Sequence, residues 1–121
     1  DGRVLVVGGQ GKIVGGTGKV TSAEIWNPES LSWSSAGNTE IPRSEHAASL
    51  LNDGRVLVTG GQGAKNTAEI YNPEDSSWIN ASEMIKSRYR HAVITLPDGR
   101  VLISGGVGED GVIEKSELFI P

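Results

Sequence analysis

The sequence predicts an all-β fold made of about ten short antiparallel strands, four to each full repeat. Several motifs recur in a fixed order, and each contains a strand-length run that ends at glycine or at other turn residues. Glycine accounts for 17 of the 121 residues, roughly double its usual share. No long window holds the 3.6-residue apolar period of a helix, so helices are not expected.

The first recurring element is an apolar strand that ends in a pair of glycines. It reads DGRVLVVGG from Asp1, DGRVLVTGG from Asp53 and DGRVLISGG from Asp98. Continuous apolar runs of this kind are expected of strands covered on both faces. Glycine permits positive φ angles and a close approach of the backbone, whereas a phosphate-binding loop would need a following helix with Lys-Ser/Thr. We therefore predict a structural role for Gly8, Gly9, Gly60, Gly61, Gly105 and Gly106.

Three further elements follow this strand in the same order each time. The second element reads AEIWNP from Ala23, AEIYNP from Ala68 and SELFIP from Ser116, and the third is a tryptophan, at Trp33 and again at Trp78. The fourth element reads RSEHAASLLNDG from Arg43 and RYRHAVITLPDG from Arg88, again 45 positions apart. Its Asp-Gly pair is the turn signal of a tight hairpin.

One loop insertion explains the uneven spacing of the repeats. The Asp-Gly-Arg motifs are 52 and then 45 positions apart. Gly9 and Ala23 are 14 positions apart, whereas Gly61 and Ala68 are separated by seven, which accounts for the whole difference. The repeat unit is therefore about 45 residues long.

Taken together, these motifs resemble the kelch family, including the kelch motifs in the central domain of galactose oxidase-like proteins. The marks are the Gly-Gly that closes an apolar strand, the aromatic residue before a tryptophan, and Arg-x-x-His-Ala at the start of the next strand. The resemblance spans about 2.5 repeats. It implies the four-stranded blades of a β-propeller, with strands a to d numbered outward from the propeller axis.

The resemblance divides the chain into one complete blade and two partial ones. Residues 1–42 would supply strands b, c and d, residues 43–87 a full blade, and residues 88–121 strands a, b and c. A blade is apolar on both faces and needs a neighbour on each side. We therefore expect the open faces to be covered either by further blades of a longer propeller or by other copies of the chain.

Composition and charge exclude several classes of function. The formal net charge is −4 and the basic residues are not clustered, which argues against nucleic-acid binding. No apolar run approaches the roughly 20 residues that a membrane helix needs. The lack of cysteine excludes disulfides and thiolate nucleophiles but leaves the compartment open. The style of the repeat is similar to that of bacterial, often exported, kelch proteins, which would place the chain outside the cell or at its surface.

Residues that recur in every blade are expected to serve structure. Glu24, Glu69 and Glu117 should accept hydrogen bonds from backbone amides or from an arginine of the repeat, such as Arg43 or Arg88. Trp33 and Trp78 should pack within the blades. His46 and His91 are expected to form hydrogen bonds near the channel, because two imidazoles without a third ligand do not make a metal site. We predict no catalytic residues, no metal and no cofactor.

The loops that differ between blades are the expected place for function, because variable loops on a rigid frame usually carry recognition. The b–c links start at Gln10, Gln62 and Val107, and they should share one end of the blades with the d–a links. We predict a non-catalytic interaction module that binds a protein or a glycan there. The alternative is a fragment of a carbohydrate-active kelch enzyme of the oxidase or sialic-acid mutarotase type. The candidate binding residues are Lys12, Lys19, Arg43, Lys65, Lys86, Arg88, Tyr89, Glu109 and Asp110.

Overall fold

The chain consists of strands and connecting loops, with no helix. The computed structural model describes residues 1–121 and contains fourteen strands, each paired only with antiparallel neighbours. No helix is therefore present that could cross a membrane. The strands are β1 (Val4–Val7), β2 (Gln10–Ile13), β3 (Gly16–Lys19), β4 (Ser22–Asn27), β5 (Ser32–Asn38), β6 (Ala47–Leu50), β7 (Val56–Thr59), β8 (Ala68–Asn72), β9 (Ser77–Asn80), β10 (Ala92–Thr95), β11 (Val101–Ser104), β12 (Val107–Gly108), β13 (Gly111–Val112) and β14 (Glu117–Phe119).

Ten of these strands form three sheets, which we call blades 1, 2 and 3. Blade 1 has the order β1-β4-β5, blade 2 the order β6-β7-β8-β9, and blade 3 the order β10-β11-β14. Each blade is a meander, because consecutive strands pair side by side. The all-β fold with four antiparallel strands in its complete repeat is as the sequence predicts.

The other four strands correct the predicted count of ten. The b–c link of blade 1 folds into the hairpin β2–β3, and that of blade 3 into the short hairpin β12–β13. Gly15, with φ of +91°, lies in the turn of the first hairpin. The sequence of these links lacks the apolar alternation that marks a strand. The hairpins form because their backbone groups bond to each other within the segment.

The core lies between the blades. A cluster of eight buried residues fills the space between blades 2 and 3, and it includes Leu57 and Ile70 from one and Ile103 and Phe119 from the other. A smaller cluster, formed by Ala23, Ala36 and Tyr71, joins blades 1 and 2. Because side chains alternate along a strand, the adjacent residues Ile70 and Tyr71 face opposite neighbours. Blade 2 is therefore covered on both faces.

The glycine pair at the end of strand b is where one blade meets the next. A Cβ atom at Gly8 would lie 2.5 Å from the carbonyl oxygen of Arg43, and one at Gly60 would lie 2.3 Å from that of Arg88. The amides of Gly9 and Gly61 donate to these same two carbonyls, at 2.7 and 2.9 Å. Glycine is therefore required by close packing between blades.

The recurring Asp-Gly-Arg tripeptide forms the turn between strands a and b. In blade 2, Asp53 accepts hydrogen bonds from the Arg55 amide at 3.1 Å and from its Nε atom at 2.8 Å, and Gly54 has φ of +88°. Asp98 and Arg100 repeat this arrangement in blade 3. The bonds from arginine lower the pKa of both aspartates.

Candidate functional site

The b–c and d–a links meet at one end of the blades and form a single surface, which we call the loop face. It comprises residues 8–21, 39–46, 60–67, 81–91 and 105–116. Its segments are tied together by backbone bonds: Tyr89 and Val107 exchange two, at 3.0 and 2.9 Å. The ammonium of Lys19 donates to the Gln62 carbonyl at 2.6 Å and so joins the links of blades 1 and 2.

A cleft of about 450 Å³ lies on the loop face, between the β12–β13 hairpin and the d–a link that precedes blade 3. Its lining carries both signs of charge, with Lys86 on one side and Glu109 and Asp110 in the hairpin turn on the other. Three apolar residues also line it, and two of them, Ile85 and Val112, are 80% and 81% exposed. We call this surface the charged cleft.

A second cleft of about 240 Å³ adjoins the first and shares Ser87, Gly108 and Glu109 with it. Lys65 and Tyr89 line its other side. Six of the predicted binding residues therefore line two connected clefts, namely Lys65, Lys86, Arg88, Tyr89, Glu109 and Asp110.

The Tyr89 side chain is held beside a surface ion pair. The Arg90 guanidinium lies 5.9 Å from the centroid of the Tyr89 ring and donates to the Glu45 carboxylate at 2.8 Å. The Glu45 carboxylate raises the pKa of Arg90. Sequence reasoning did not single out either charged residue.

Lys12 and Lys19 lie apart from the clefts, on the β2–β3 hairpin. Lys12 is exposed, and Val14 at the tip of the hairpin is fully exposed as well. Lys19 is half-buried because its ammonium is bonded to Gln62. The hairpin thus presents one free cation and an apolar tip.

Arg43 and Arg88, two of the predicted binding residues, are both buried, although Arg88 belongs to the lining of the second cleft. Their exposed fractions are 0% and 2%. Arg43 donates through Nε and Nη2 to Glu69 Oε2, at 3.0 and 2.8 Å, and through Nη1 to the carbonyls of Gly60 and Thr67. The fixed fork of donors in arginine finds its acceptors inside the blade, so no donor points to solvent.

Arg88 repeats this arrangement in blade 3. Its Nε and Nη2 atoms donate to Glu117 Oε2, at 3.3 and 3.1 Å, and Nη1 donates to the carbonyls of Gly105 and Lys115. The two carboxylates also accept backbone amides of the preceding link, Glu69 from Glu40 and Glu117 from Ile85. Each of these two glutamates therefore accepts hydrogen bonds from an arginine of the repeat and from a backbone amide, which are the two kinds of donor that the sequence predicted.

Glu24 departs from that expectation. It occupies the same position of strand c in blade 1, but it is exposed and takes part in no salt bridge. The arginines that pair with Glu69 and Glu117 start strand a of their own blades, and no such arginine lies against Glu24. Trp33 is likewise 53% exposed, whereas the indole of Trp78 donates to the Ala36 carbonyl at 2.7 Å.

The two histidines lie between blades. His91 Nε2 is 2.8 Å from Thr59 Oγ1, and burial, together with the charge of Arg88, lowers its pKa to about 4. Burial also lowers the pKa of His46. Residues 1–121 contain no group of three or more histidine, cysteine, aspartate or glutamate side chains that could hold a metal ion.

Comparison with known proteins agrees with the fold. The family model described as the kelch motif matches residues 43–85, which span blade 2. A fungal alcohol oxidase of the AA5 family, described as having catalytic diversity and solved in complex with copper, superposes with a TM-score of 0.82 at 20% identity. The alignment covers 99% of this chain and 28% of the oxidase chain. A search of curated proteins gave no match.

The fold thus defines the class of protein: these are kelch-type β-propeller blades, and their sheets do not close into a ring. The chain carries a kelch motif in its central blade, and its resemblance to the kelch-repeat family is confirmed. It spans 28% of the length of the oxidase that it resembles.

Proposed function

We propose that the chain is a non-catalytic interaction module that binds a protein partner through the loop face. The observation that supports this most strongly is the charged cleft, where Lys86, Glu109 and Asp110 surround two highly exposed apolar side chains, Ile85 and Val112. An apolar centre with a polar rim is the usual anatomy of a protein–protein interface.

A glycan is the less favoured ligand on this face. Sugar rings are commonly bound on exposed aromatic platforms, but Tyr89 is the one aromatic side chain that lines either cleft, and it is half-buried beside Arg90. The proposal therefore commits to a protein whose surface offers charges of both signs around an apolar contact.

The test compares two matched charge-reversed variants. Glu109→Lys with Asp110→Lys reverses the rim of the charged cleft, whereas Glu74→Lys with Asp75→Lys reverses the same charges in an exposed turn between β8 and β9. Partners are recovered from an extract of the source and quantified by mass spectrometry, and each protein is also applied to a glycan array.

We expect a partner to be recovered by the wild type and by the Glu74/Asp75 variant, and to be depleted at least about tenfold by the Glu109/Asp110 variant. Equal recovery by all three proteins would contradict the use of this face. Saccharide binding on the array with no protein partner would favour a carbohydrate-directed function instead.

A second candidate is that the chain is part of a kelch-type oxidase or another carbohydrate-active enzyme. Its support is the likeness of the fold to the copper-bound alcohol oxidase. His46 and His91 are the histidines available for such a site, and they do not form part of a cluster of three or more potential ligands within residues 1–121. Calorimetric titration with Cu²⁺ tests it: tight one-to-one binding that is lost in the His46→Ala/His91→Ala double variant would favour this candidate over the interaction module.

A further inference from the structure

Four aspartates of the chain are followed directly by glycine, namely Asp1, Asp53, Asp98 and Asp110. An aspartate in this position can rearrange to isoaspartate, because glycine has no side chain to hinder the approach of its amide nitrogen to the carboxyl carbon. The reaction requires a carboxyl group that is free to turn toward the main chain. The four sites should therefore differ in reactivity according to how firmly the structure holds each carboxyl group.

Three of the four carboxylates are held by the arginine of their own Asp-Gly-Arg tripeptide. Asp98 accepts hydrogen bonds from the amide of Arg100 at 3.0 Å and from its Nε atom at 2.8 Å. Asp1 and Asp53 are bonded in the same way to the arginine two positions further on. The bonds from arginine lower the pKa of Asp53 and Asp98, so less of either carboxyl group is in the neutral form that loses its hydroxyl most readily.

Asp110 lacks this restraint. Val112 stands where the other three sites have arginine, and the exposed carboxylate of Asp110 takes part in no salt bridge or hydrogen bond. Gly111 is exposed as well and has φ of +105°. The carboxyl group of Asp110 is therefore free to turn toward the Gly111 amide, which it must do before the nitrogen can attack.

The turn that contains Asp110 is also less supported than the turns at Asp53 and Asp98. It joins β12 to β13, which pair over only two residues of each strand. The other two turns join strands that pair over four residues each. Local opening is easiest where few backbone bonds close an element, so the β12–β13 turn reaches the geometry needed for attack most readily.

We propose that Asp110–Gly111 is a site of spontaneous isoaspartate formation, and that the folded chain protects Asp53 and Asp98 from the same reaction. The Gly111 amide nitrogen forms a bond to Cγ of Asp110, the C–OH bond breaks, and the hydroxyl leaves with the amide proton as water. Water then opens the succinimide ring. Cleavage of the ring bond between nitrogen and Cγ restores aspartate, whereas cleavage between nitrogen and the main-chain carbonyl carbon gives isoaspartate, with no net change in mass.

The modification would alter the charged cleft, and this consequence rests on the function proposed for the loop face. In isoaspartate the main chain runs through Cβ and Cγ, and the free carboxylate is attached to Cα. The turn of the β12–β13 hairpin therefore gains one backbone carbon, and the negative charge on the rim of the charged cleft moves. We expect the isoaspartate form to recover less of the partner than the fresh chain does.

The experiment follows three of the sites in one sample of the full chain. The protein is kept folded near neutral pH for several weeks and is then digested with trypsin, which places Asp53, Asp98 and Asp110 in separate peptides, residues 44–55, 91–100 and 101–115. Chromatography and electron-transfer fragmentation distinguish isoaspartate from aspartate. We expect it to form at Asp110 at least about threefold faster than at the other two sites, a factor within the range that an exposed charged pair supplies.

Unfolding in urea is the matched control, because it releases the carboxyl groups while leaving the sequence unchanged, and the three sites should then react at similar rates. Arg55→Ala in the folded chain should speed the reaction at Asp53, while Asp98 keeps its arginine and stays slow. Equal rates at the three sites in the folded chain, or no isoaspartate at Asp110, would overturn the proposal. The mapping needs no partner, so a fresh chain that recovers none would contradict the proposed function alone.

Discussion

At the scale of single residues, two buried arginine–glutamate pairs hold together the strands of blades 2 and 3. Arg43 Nη2 lies 2.8 Å from Glu69 Oε2, and Arg88 Nη2 lies 3.1 Å from Glu117 Oε2. In each pair the guanidinium also reaches carbonyls at the end of strand b and before strand c. One side chain therefore fixes the start of strand a to two other strands of its blade.

Glu69→Gln should lower the free energy of unfolding by about 3–5 kcal/mol, because it leaves the buried guanidinium of Arg43 without its counter-charge. Chemical denaturation at neutral pH measures the change. Glu24→Gln is the matched control at the equivalent position, and it should change stability by less than about 0.5 kcal/mol because Glu24 is exposed. An equal loss in both variants would show that burial of the pair is not the cause.

His91 should make stability depend on pH between 6.5 and 4. Its pKa is lowered from 6.5 to about 4 in the folded chain, so the unfolded chain takes up the proton first as the pH falls. Stability is then fully present above pH 6.5 and is lost progressively toward pH 4, by up to about 3 kcal/mol. Denaturation midpoints across this range measure it, and the slope should flatten in His91→Gln. An unchanged slope in that variant would contradict the assignment to His91.

Some residue roles were predictable from the sequence and others were not. The recurrence of Glu69 and Glu117 with Arg43 and Arg88 was enough to predict the bonding between them. The complete burial of both arginines was not, because it depends on backbone carbonyls that approach the guanidinium only in the folded blade. Charged residues in a loop-like segment are mostly exposed, so the sequence did not predict that these two side chains turn inward.

At the scale of elements, neighbouring blades are held at a fixed distance by glycine. Gly60 and Gly105 occupy the same position in blades 2 and 3 and have similar φ angles, +58° and +68°. A Cβ atom at Gly60 would meet the backbone of Arg88, whereas one at Gly105 would meet nothing within 4 Å. The two positions therefore separate backbone strain from close packing between blades.

Gly60→Ala should destabilise the chain by about 1–3 kcal/mol more than Gly105→Ala. Both substitutions place alanine at a positive φ angle, but only the first forces blades 2 and 3 apart. Urea denaturation of the two variants gives the difference directly. Equal losses of stability would mean that the positive φ angle, and not close packing between blades, is the reason for glycine at this position.

The strands of the blades were predictable at this scale, and the hairpins in the loops were not. The apolar runs of β1, β7 and β11 and their Gly-Gly ends recur openly in the sequence. The β2 and β3 strands consist largely of glycine and polar residues, and β12 and β13 are only two residues each, so periodicity gives no signal there. The charged cleft is lined by the β12–β13 hairpin. The sequence therefore predicted which end of the blades carries the variable loops, but not the cleft that these loops form.

At the scale of the whole molecule, the central blade is covered and the outer two are not. The buried residues number 23 of 121, and blade 2 with its contacts accounts for most of the core. Trp33 on blade 1 and Ile120 on blade 3 are 53% and 74% exposed. Apolar faces of this kind favour association with other chains or with further blades.

The chain on its own should therefore self-associate as its concentration rises. Sedimentation velocity over a range of concentrations from about 1 to 100 μM should show an increasing average mass. Trp33→Arg combined with Ile120→Arg should reduce the increase, because both changes place charge on open faces without touching the core. A monomer across this range, with a melting temperature that is independent of concentration, would contradict the prediction.

The main-chain bonds between blades have a practical consequence for protein engineering. The amides of Gly9 and Gly61 bind the carbonyls of Arg43 and Arg88, so the spacing between successive units is set by main-chain bonds together with the glycines that allow the close approach. Loop segments beyond these bonded residues, such as the tip of the β2–β3 hairpin, can therefore be exchanged or lengthened without altering how one unit stacks on another. A gene encoding residues 43–87 in tandem would supply identical modules whose stacking geometry is already specified, and whose connecting loops could be diversified in a library.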